Sequence, residues 1–176
     1  MYLISAYFDE NTNKILNRYI NGVAQVTGND FMIRNNVPPH LTITSIEAMS
    51  GNDLESAFRQ ACSNFKAGDI VIPSIGQLLP YVIYTGAVLN EYLYELQQEF
   101  VAAMEAVENT SISKYYMPHS WMPHVTIGKT LSGEQMLQAF EYMQKSFAPV
   151  SGKIVELGLA KTNPHEDLVR IKLPVS

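Results

Sequence analysis

The pattern of apolar and polar positions at the start of the chain changes from that of a strand to that of a helix. Residues 2–8 form an almost continuous apolar run, which predicts a first strand. Residues 13–27 place apolar side chains at intervals of three and four, which predicts an amphipathic helix that ends at Gly28. Residues 37–39 contain two prolines and favour an extended backbone, and the alternation over residues 40–46 predicts a second strand.

The next segment contains a helix and a hairpin. Asp53 is a suitable N-cap for a helix over residues 54–66. Two strand-like runs, residues 69–78 and 81–89, meet at Leu79-Pro80 and predict a hairpin.

The second half of the chain repeats this order. Asn90 is a suitable N-cap for a helix over residues 91–107, and residues 124–129 predict a strand. Ser132 and Gln135 have the spacing of a capping box at the start of a further helix. Two last strands are predicted over residues 150–160 and 168–173, with a turn at Asn163-Pro164.

Helix, histidine-bearing strand, helix and hairpin therefore occur twice. A duplication on this scale predicts two similar lobes, because a solenoid needs more copies. We expect an α+β fold of two pseudo-symmetric lobes, each an antiparallel sheet with helices on one face. The lobes would cover about residues 1–89 and 90–176 of a single domain.

The composition is that of a soluble globular domain. The chain has 176 residues, with 12 Lys and Arg against 17 Asp and Glu, and 47% of its residues are hydrophobic. These values exclude a disordered chain, and the net charge of -5 disfavours binding to long duplex nucleic acid. Cys62 is the only cysteine, so an internal disulfide and a cysteine-based zinc site are excluded, and we expect Cys62 in the core. With neither a signal-peptide pattern nor a membrane-spanning apolar run, we expect a cytoplasmic monomer that binds no membrane.

One motif, Pro-His-x-Thr-Ile, occurs in both halves, at residues 39–43 and 123–127. Matching neighbours around a histidine pair would arise by chance about once in several thousand cases. Alternate residues of a strand face the same side, so His40 shares a face with Thr42, and the corresponding pair shares a face in the second strand. The apolar residues between them would point into the core.

Paired imidazoles and hydroxyls suit chemistry at phosphorus. An imidazole with an ordinary pKa of about 6.5 serves as acid or base near neutral pH, and in-line displacement needs one on each side. His40 and His124 would fill these roles, while Thr42 and Thr126 would donate hydrogen bonds to the non-bridging oxygens. Either motif alone would favour a structural histidine, but the repetition of the polar positions favours a functional pair.

The motifs resemble those of the two-histidine phosphoesterase superfamily, which includes the 2'-5' RNA ligase-like proteins and the RNA cyclic phosphodiesterases. The resemblance covers nearly the whole chain and implies that the histidine-bearing strands line a central groove. It implies metal-independent hydrolysis of a cyclic or 2'-linked phosphodiester, without a cofactor, by His40 and His124, with Thr42 and Thr126 as the phosphate-binding hydroxyls. The substrate would be a small nucleotide or an RNA end, and the assignment of acid and base stays open.

Further candidates lie around the second motif. Residues 115–122 are rich in flat side chains, and Trp121 either stacks on a nucleobase or fills the core. If Gly128 shares the groove face with His124, then Lys129 faces away from the groove unless the strand bulges. Other candidate cations are Arg34, Lys114 and Lys161.

Two competing hypotheses retain the same motifs. A non-catalytic module could use the groove to bind a nucleotide or RNA end. A metallohydrolase could use His119 and His165, although neither His-x-x-x-His nor His-Glu-x-x-His occurs in the sequence. Turnover and metal dependence distinguish these hypotheses.

Overall fold

Helices and strands alternate along the chain in the computed structural model, which describes residues 1–162 and 166–175. The helices within these residues are α1 (Glu10–Thr27), α2 (Phe31–Arg34), α3 (Gly51–Cys62), α4 (Glu91–Glu105) and α5 (Gly133–Ser146). The strands are β1 (Tyr2–Phe8), β2 (Leu41–Glu47), β3 (Gly68–Ile72), β4 (Ser74–Leu78), β5 (Val82–Gly86), β6 (Ser111–Ile112), β7 (His124–Gly128), β8 (Val150–Lys161) and β9 (Glu166–Lys172). The predicted turn at Asn163-Pro164 lies outside the described residues.

The strands form one antiparallel sheet with the order β3-β8-β1-β2-β7-β5-β4, to which β6 and β9 are added beside β2 and β8. The sheet pairs strands across the boundary between residues 89 and 90, because β5 pairs with β7 and β3 pairs with β8. Helix α1 packs beside α5, and α3 packs beside α4, on one side of the curled sheet. The predicted α+β fold, with a histidine-bearing groove on the other side, is confirmed.

The core lies between the sheet and these helices. Ile4 and Ala6 of β1 are fully buried, as are Leu41 and Ile43 of β2. Cys62 is also in the core, at 3% exposure, and burial raises the pKa of its thiol to about 12. No helix among the described residues is both long enough and apolar enough to cross a membrane.

Helix ends follow the local chemistry of the sequence. Gly28 adopts a φ of 68° and donates its N–H to the carbonyl of Ala24, which closes α1. The Asn90 side chain caps α4, and Ser132 with Gln135 forms a complete capping box at α5. These sequence predictions are therefore confirmed.

The start of α3 differs from the prediction. Ser50 is the N-cap, and its hydroxyl accepts a hydrogen bond from the N–H of Asn52. Asp53 lies within the first turn instead, where a carboxylate is also favourable because it faces the positive end of the helix dipole. Both residue types are common at a helix start, so the sequence pattern did not separate the two positions.

Pro73 divides the predicted strand over residues 69–78 into β3 and β4. Proline lacks the N–H that a central strand donates, so the ladder ends there. The two strands then diverge to opposite ends of the main strand order. The hairpin is therefore β4–β5 alone, with register partners from Ser74 and Gly86 to Leu78 and Val82.

Candidate active site

The two motifs lie on neighbouring strands at the middle of the sheet. Strands β2 and β7 pair antiparallel at Leu41 and Val125, both fully buried against the helices. The residues on either side of this pair are half-buried and lie on the opposite face of the sheet. They are His40, Thr42, His124 and Thr126.

The register brings the polar residues of the two motifs together. Continued by one residue in each direction, it sets His40 opposite Thr126 and Thr42 opposite His124. Side chains that are directly opposite have Cβ atoms about 5 Å apart, and diagonal neighbours are about 7–8 Å apart. The two histidines occupy one diagonal of this four-residue cluster and the two threonines occupy the other.

Both imidazoles are held by the same contact. Nδ1 of His40 lies 2.8 Å from the carbonyl oxygen of Pro38, and Nδ1 of His124 lies 2.8 Å from that of Met122. A carbonyl oxygen only accepts a hydrogen bond, so Nδ1 must carry the hydrogen. In the neutral ring, Nε2 therefore has the lone pair that can take a proton.

A tyrosine from the neighbouring strand on the outward side packs beside each histidine. The ring centre of Tyr7 on β1 lies 6.3 Å from that of His40, and the ring centre of Tyr84 on β5 lies 5.3 Å from that of His124. The Tyr84 hydroxyl also donates to the sulfur of Met122 at 3.7 Å. Neither tyrosine was predicted from the sequence, because their proximity to the motifs depends on the strand order.

An open cavity of about 440 Å³ lies beside His124. Its lining is mostly apolar and aromatic: Leu78, Tyr115, Tyr116, Ser120, Trp121, Met122 and His124. Tyr115 is the most accessible of the aromatic rings, with 69% of its surface exposed. The size and lining are those of a small-molecule site.

The cavity wall is attached to Thr42 by two contacts. Trp121 is only 9% exposed, and its indole N–H donates to the carbonyl oxygen of Thr42 at 3.0 Å. The side chain of Tyr116 lies beside that of Thr42. Burial raises the pKa of the Tyr116 hydroxyl, and the neighbouring Thr42 side chain opposes the increase. Trp121 thus belongs to the hydrophobic core and also lines the cavity.

The strand β7 bulges after Thr126. On the neighbouring strand β5, Tyr84 pairs with Thr126 and the adjacent Ile83 pairs with Gly128. Ile127 therefore has no partner of its own and is the extra residue of the bulge. A side chain at Gly128 would lie 3.1 Å from Val23 of α1, so Gly128 faces the helices. The expectation that Gly128 faces the groove is therefore wrong. Because the strand bulges, the alternation that would place Lys129 on the opposite face from the groove does not apply.

The other candidate cations have different positions. Arg34 pairs with Asp30 on α2 at 3.5 Å. Lys161 is the register partner of Tyr2, whose side chain is buried towards the helices. The Lys114 ammonium lies 5.2 Å from the ring centre of Tyr115, which places it at the rim of the cavity.

His119 is exposed and has a φ of 70°, while His165 lies outside the described residues. Over residues 1–162 and 166–175, no group of three or more His, Cys, Asp and Glu side chains is arranged to hold a metal ion.

The chain matches the model of a known family, and its fold matches solved structures. The family model of the 2'-5' RNA ligase superfamily matches residues 18–166, which confirms the resemblance inferred from the paired motifs. The structure of E. coli LigT complexed with 3'-AMP has a TM-score of 0.66 and 15% identity, over 98% of this chain and 97% of LigT. The structure of TT0787 from Thermus thermophilus has a TM-score of 0.63 and 14% identity, over 99% of this chain and 98% of that protein. At these identities the structures show a shared fold. A comparison with curated proteins gives no match.

Proposed function

The chain belongs to the 2'-5' RNA ligase superfamily, and on that premise we propose that it is a metal-independent phosphodiesterase acting on a cyclic or 2'-linked phosphodiester of a nucleotide or RNA end. The observation that carries this proposal is the shared face of His40, Thr42, His124 and Thr126 on two paired strands. The matching Nδ1 contacts of the two histidines place the hydrogen of each neutral ring on Nδ1, so the lone pair of each ring is on Nε2.

In the proposed reaction, a phosphate group occupies the space between the four side chains. Nε2 of one neutral histidine takes a proton from water as the water oxygen forms a bond to phosphorus. The bond from phosphorus to a ribose oxygen breaks, and the other histidine, protonated at Nε2, gives its proton to that oxygen. Thr42 and Thr126 donate hydrogen bonds to the non-bridging oxygens as charge develops on them.

The cavity beside His124 determines which way round a nucleotide would bind between the two histidines. Its aromatic, uncharged lining suits a nucleobase, which can stack on Tyr115. E. coli LigT has been solved with 3'-AMP and with NADP+, and those complexes support a small nucleotide as the ligand class. A nucleoside in this cavity has its ribose oxygens beside His124. His124 is therefore proposed as the acid, and His40 as the base that activates water.

Turnover of defined substrates tests the function. Nucleoside 2',3'-cyclic phosphates, oligonucleotides with a cyclic phosphate end and 2'-5' dinucleotides would be incubated with the protein, with and without a chelator. We expect hydrolysis of at least one class in chelator, and a loss of about 10²- to 10⁴-fold in kcat for His40→Ala or His124→Ala. His119→Ala, an exposed histidine in the preceding loop, is the matched control and should keep the wild-type rate.

A substrate with a good leaving group separates the two roles. The aromatic leaving group of bis(p-nitrophenyl) phosphate fits the cavity and departs without a proton. On this substrate His124→Ala should lose much less activity than His40→Ala, because only the base is still needed. Equal losses for the two variants would contradict the assignment of acid and base.

A non-catalytic binding module is the alternative, because the cavity beside His124 would hold a nucleotide whether or not hydrolysis follows. Tight binding of these nucleotides by the folded wild-type protein, with no turnover of any class, would favour it. Activity lost in chelator and restored by a single metal would instead favour the metallohydrolase.

A further inference from the structure

The tyrosines beside the two histidines have a common arrangement. The ring of each tyrosine packs over a glycine of the next strand outward in the sheet. A Cβ atom added to Gly158 on β8 would lie 2.9 Å from Cε2 of Tyr7, and one added to Gly76 on β4 would lie 2.4 Å from Cζ of Tyr84. Because no side chain fills these positions, each ring can lie close to the sheet over the outward strand, and its centre is 6.3 Å from that of His40 for Tyr7 and 5.3 Å from that of His124 for Tyr84.

Beside His40, an arginine packs on the tyrosine as a further group. The guanidinium carbon of Arg170 on β9 lies 3.8 Å from the ring centre of Tyr7, in a cation–π contact. Arg170 is the register partner of Gly158, so the same absent side chain makes room for both groups. The order outward from the motif is therefore His40, Tyr7 and Arg170.

Two carboxylates hold the guanidinium in place. Nε of Arg170 lies 3.0 Å from Oδ2 of Asp167, and its Nη1 lies 3.7 Å from Oε2 of Glu156. Two acceptors on different strands restrict the rotation of the planar group, which keeps it over the tyrosine ring.

Tyr7 is unsuited to direct contact with a substrate. It is only 4% exposed, and burial raises the pKa of its hydroxyl group. Arg170 is exposed at the outer end of the series His40, Tyr7 and Arg170, and of the other two groups it is the half-buried imidazole of His40 that a substrate in the groove can reach. The tyrosine therefore acts on the groove through the histidine.

We propose that Tyr7, held by Arg170, is a positioning residue that fixes the imidazole of His40 for its reaction. The inference rests on the proposed function of His40. The Nδ1 contact with the carbonyl of Pro38 restrains one edge of the imidazole, and the tyrosine packs beside the ring. Together they direct Nε2 into the groove.

Tyr7→Leu and Tyr7→Phe test the proposal. The leucine variant removes the flat ring, and kcat should fall about 10- to 100-fold with KM nearly unchanged, because a displacement of about 1 Å at a reacting group has effects of this size. The phenylalanine variant keeps the ring and should stay within about threefold of wild type. Tyr2→Leu is the matched control, since Tyr2 is a buried tyrosine of the same strand on the opposite face.

Nitrogen NMR of the His40 ring gives a measurement that does not require activity. At a pH where the ring is neutral, the wild type should show a single tautomer with hydrogen on Nδ1, and Tyr7→Leu should show a mixture. If the wild type turns over no phosphodiester, the proposed function fails while this measurement still decides the positioning role. A pure Nδ1–H tautomer and an unchanged kcat in Tyr7→Leu would overturn the inference.

Arg170→Met provides a second test if Tyr7→Leu does not fold. It removes the guanidinium but keeps a long side chain, and it should lower kcat in the same direction as Tyr7→Leu. Arg59→Met is the control, because Arg59 pairs with Glu55 on the exposed side of α3. A wild-type kcat in Arg170→Met would show that the tyrosine needs no support from Arg170 and would contradict the proposal.

Discussion

Replacing Trp121 with phenylalanine distinguishes its two roles, as part of the core and as a wall of the cavity. The change keeps an aromatic ring but removes the indole N–H that donates to the carbonyl of Thr42 at 3.0 Å. Since Trp121 is only 9% exposed, little of its face is available to a ligand. We therefore expect the substitution to affect folding stability much more than substrate binding.

The expected loss follows from the hydrogen bond and from the volume of the ring. A hydrogen bond of this kind contributes about 0.5–1.5 kcal/mol, and the carbonyl left without its donor adds to that cost. The smaller phenyl ring also leaves part of the indole's space unfilled. Together these effects should lower the free energy of unfolding by about 2 kcal/mol, which corresponds to about 4–8 °C in Tm for a chain of this size.

Urea denaturation and substrate kinetics on the same preparations measure the two effects. Tyr115→Ala is the matched comparison, because Tyr115 lines the same cavity but is 69% exposed. It should leave the unfolding midpoint nearly unchanged and raise KM about tenfold, since stacking of a base on an aromatic ring contributes about 1–3 kcal/mol. A Trp121→Phe variant with wild-type stability and a strongly raised KM would refute the structural role.

Two further predictions concern the threonines of the motifs and the loss of folding stability at low pH that Asp9 causes. Thr42→Val and Thr126→Val should each lower kcat/KM by an amount that corresponds to about 1–3 kcal/mol of lost transition-state stabilisation. Thr44→Val is the control, because the buried hydroxyl of Thr44 has no partner among the described residues, and it should leave kcat/KM unchanged. Burial raises the pKa of Asp9, but hydrogen bonds, including that from the backbone of Thr12, outweigh burial and hold it below its ordinary value of 3.8. The stability advantage of wild type over Asp9→Ala should therefore be complete above about pH 5 and disappear as the pH falls through the native pKa; urea titrations from pH 3 to 7 would check this, and a constant advantage would contradict it.

The sequence predicted the features that depend on short-range patterns. Alternation around each motif gave the face shared by His40 and Thr42, and the half-buried and buried classes in the structure agree with it. Capping residues such as Asn90 act within one helical turn, so their positions were also predictable. The repeated motif indicated the family because its polar and apolar positions recur together.

Features that depend on strand order could not be predicted in this way. Tyr7 and Tyr84 are distant from the motifs in sequence and reach them only because β1 and β5 are the outer neighbours of β2 and β7. The bulge at Ile127 is defined by the pairing of β7 with β5, and within β7 only Gly128 is a residue type that often marks a bulge. Arg170 acquires its place over Tyr7 through three successive strands, so its role is invisible in a linear pattern.

Recognition of a substrate requires the two sides of a duplicated site to differ. The histidines are held alike, through Nδ1 and a neighbouring tyrosine, and acid and base could exchange roles if nothing else distinguished them. On the side of His40 the tyrosine is buried beside Arg170, and on the side of His124 it contacts Met122, which lines a cavity with an aromatic, uncharged wall. Under the proposed function, a nucleotide would enter with its base on the side of His124, and this direction would give each histidine a different oxygen atom to serve.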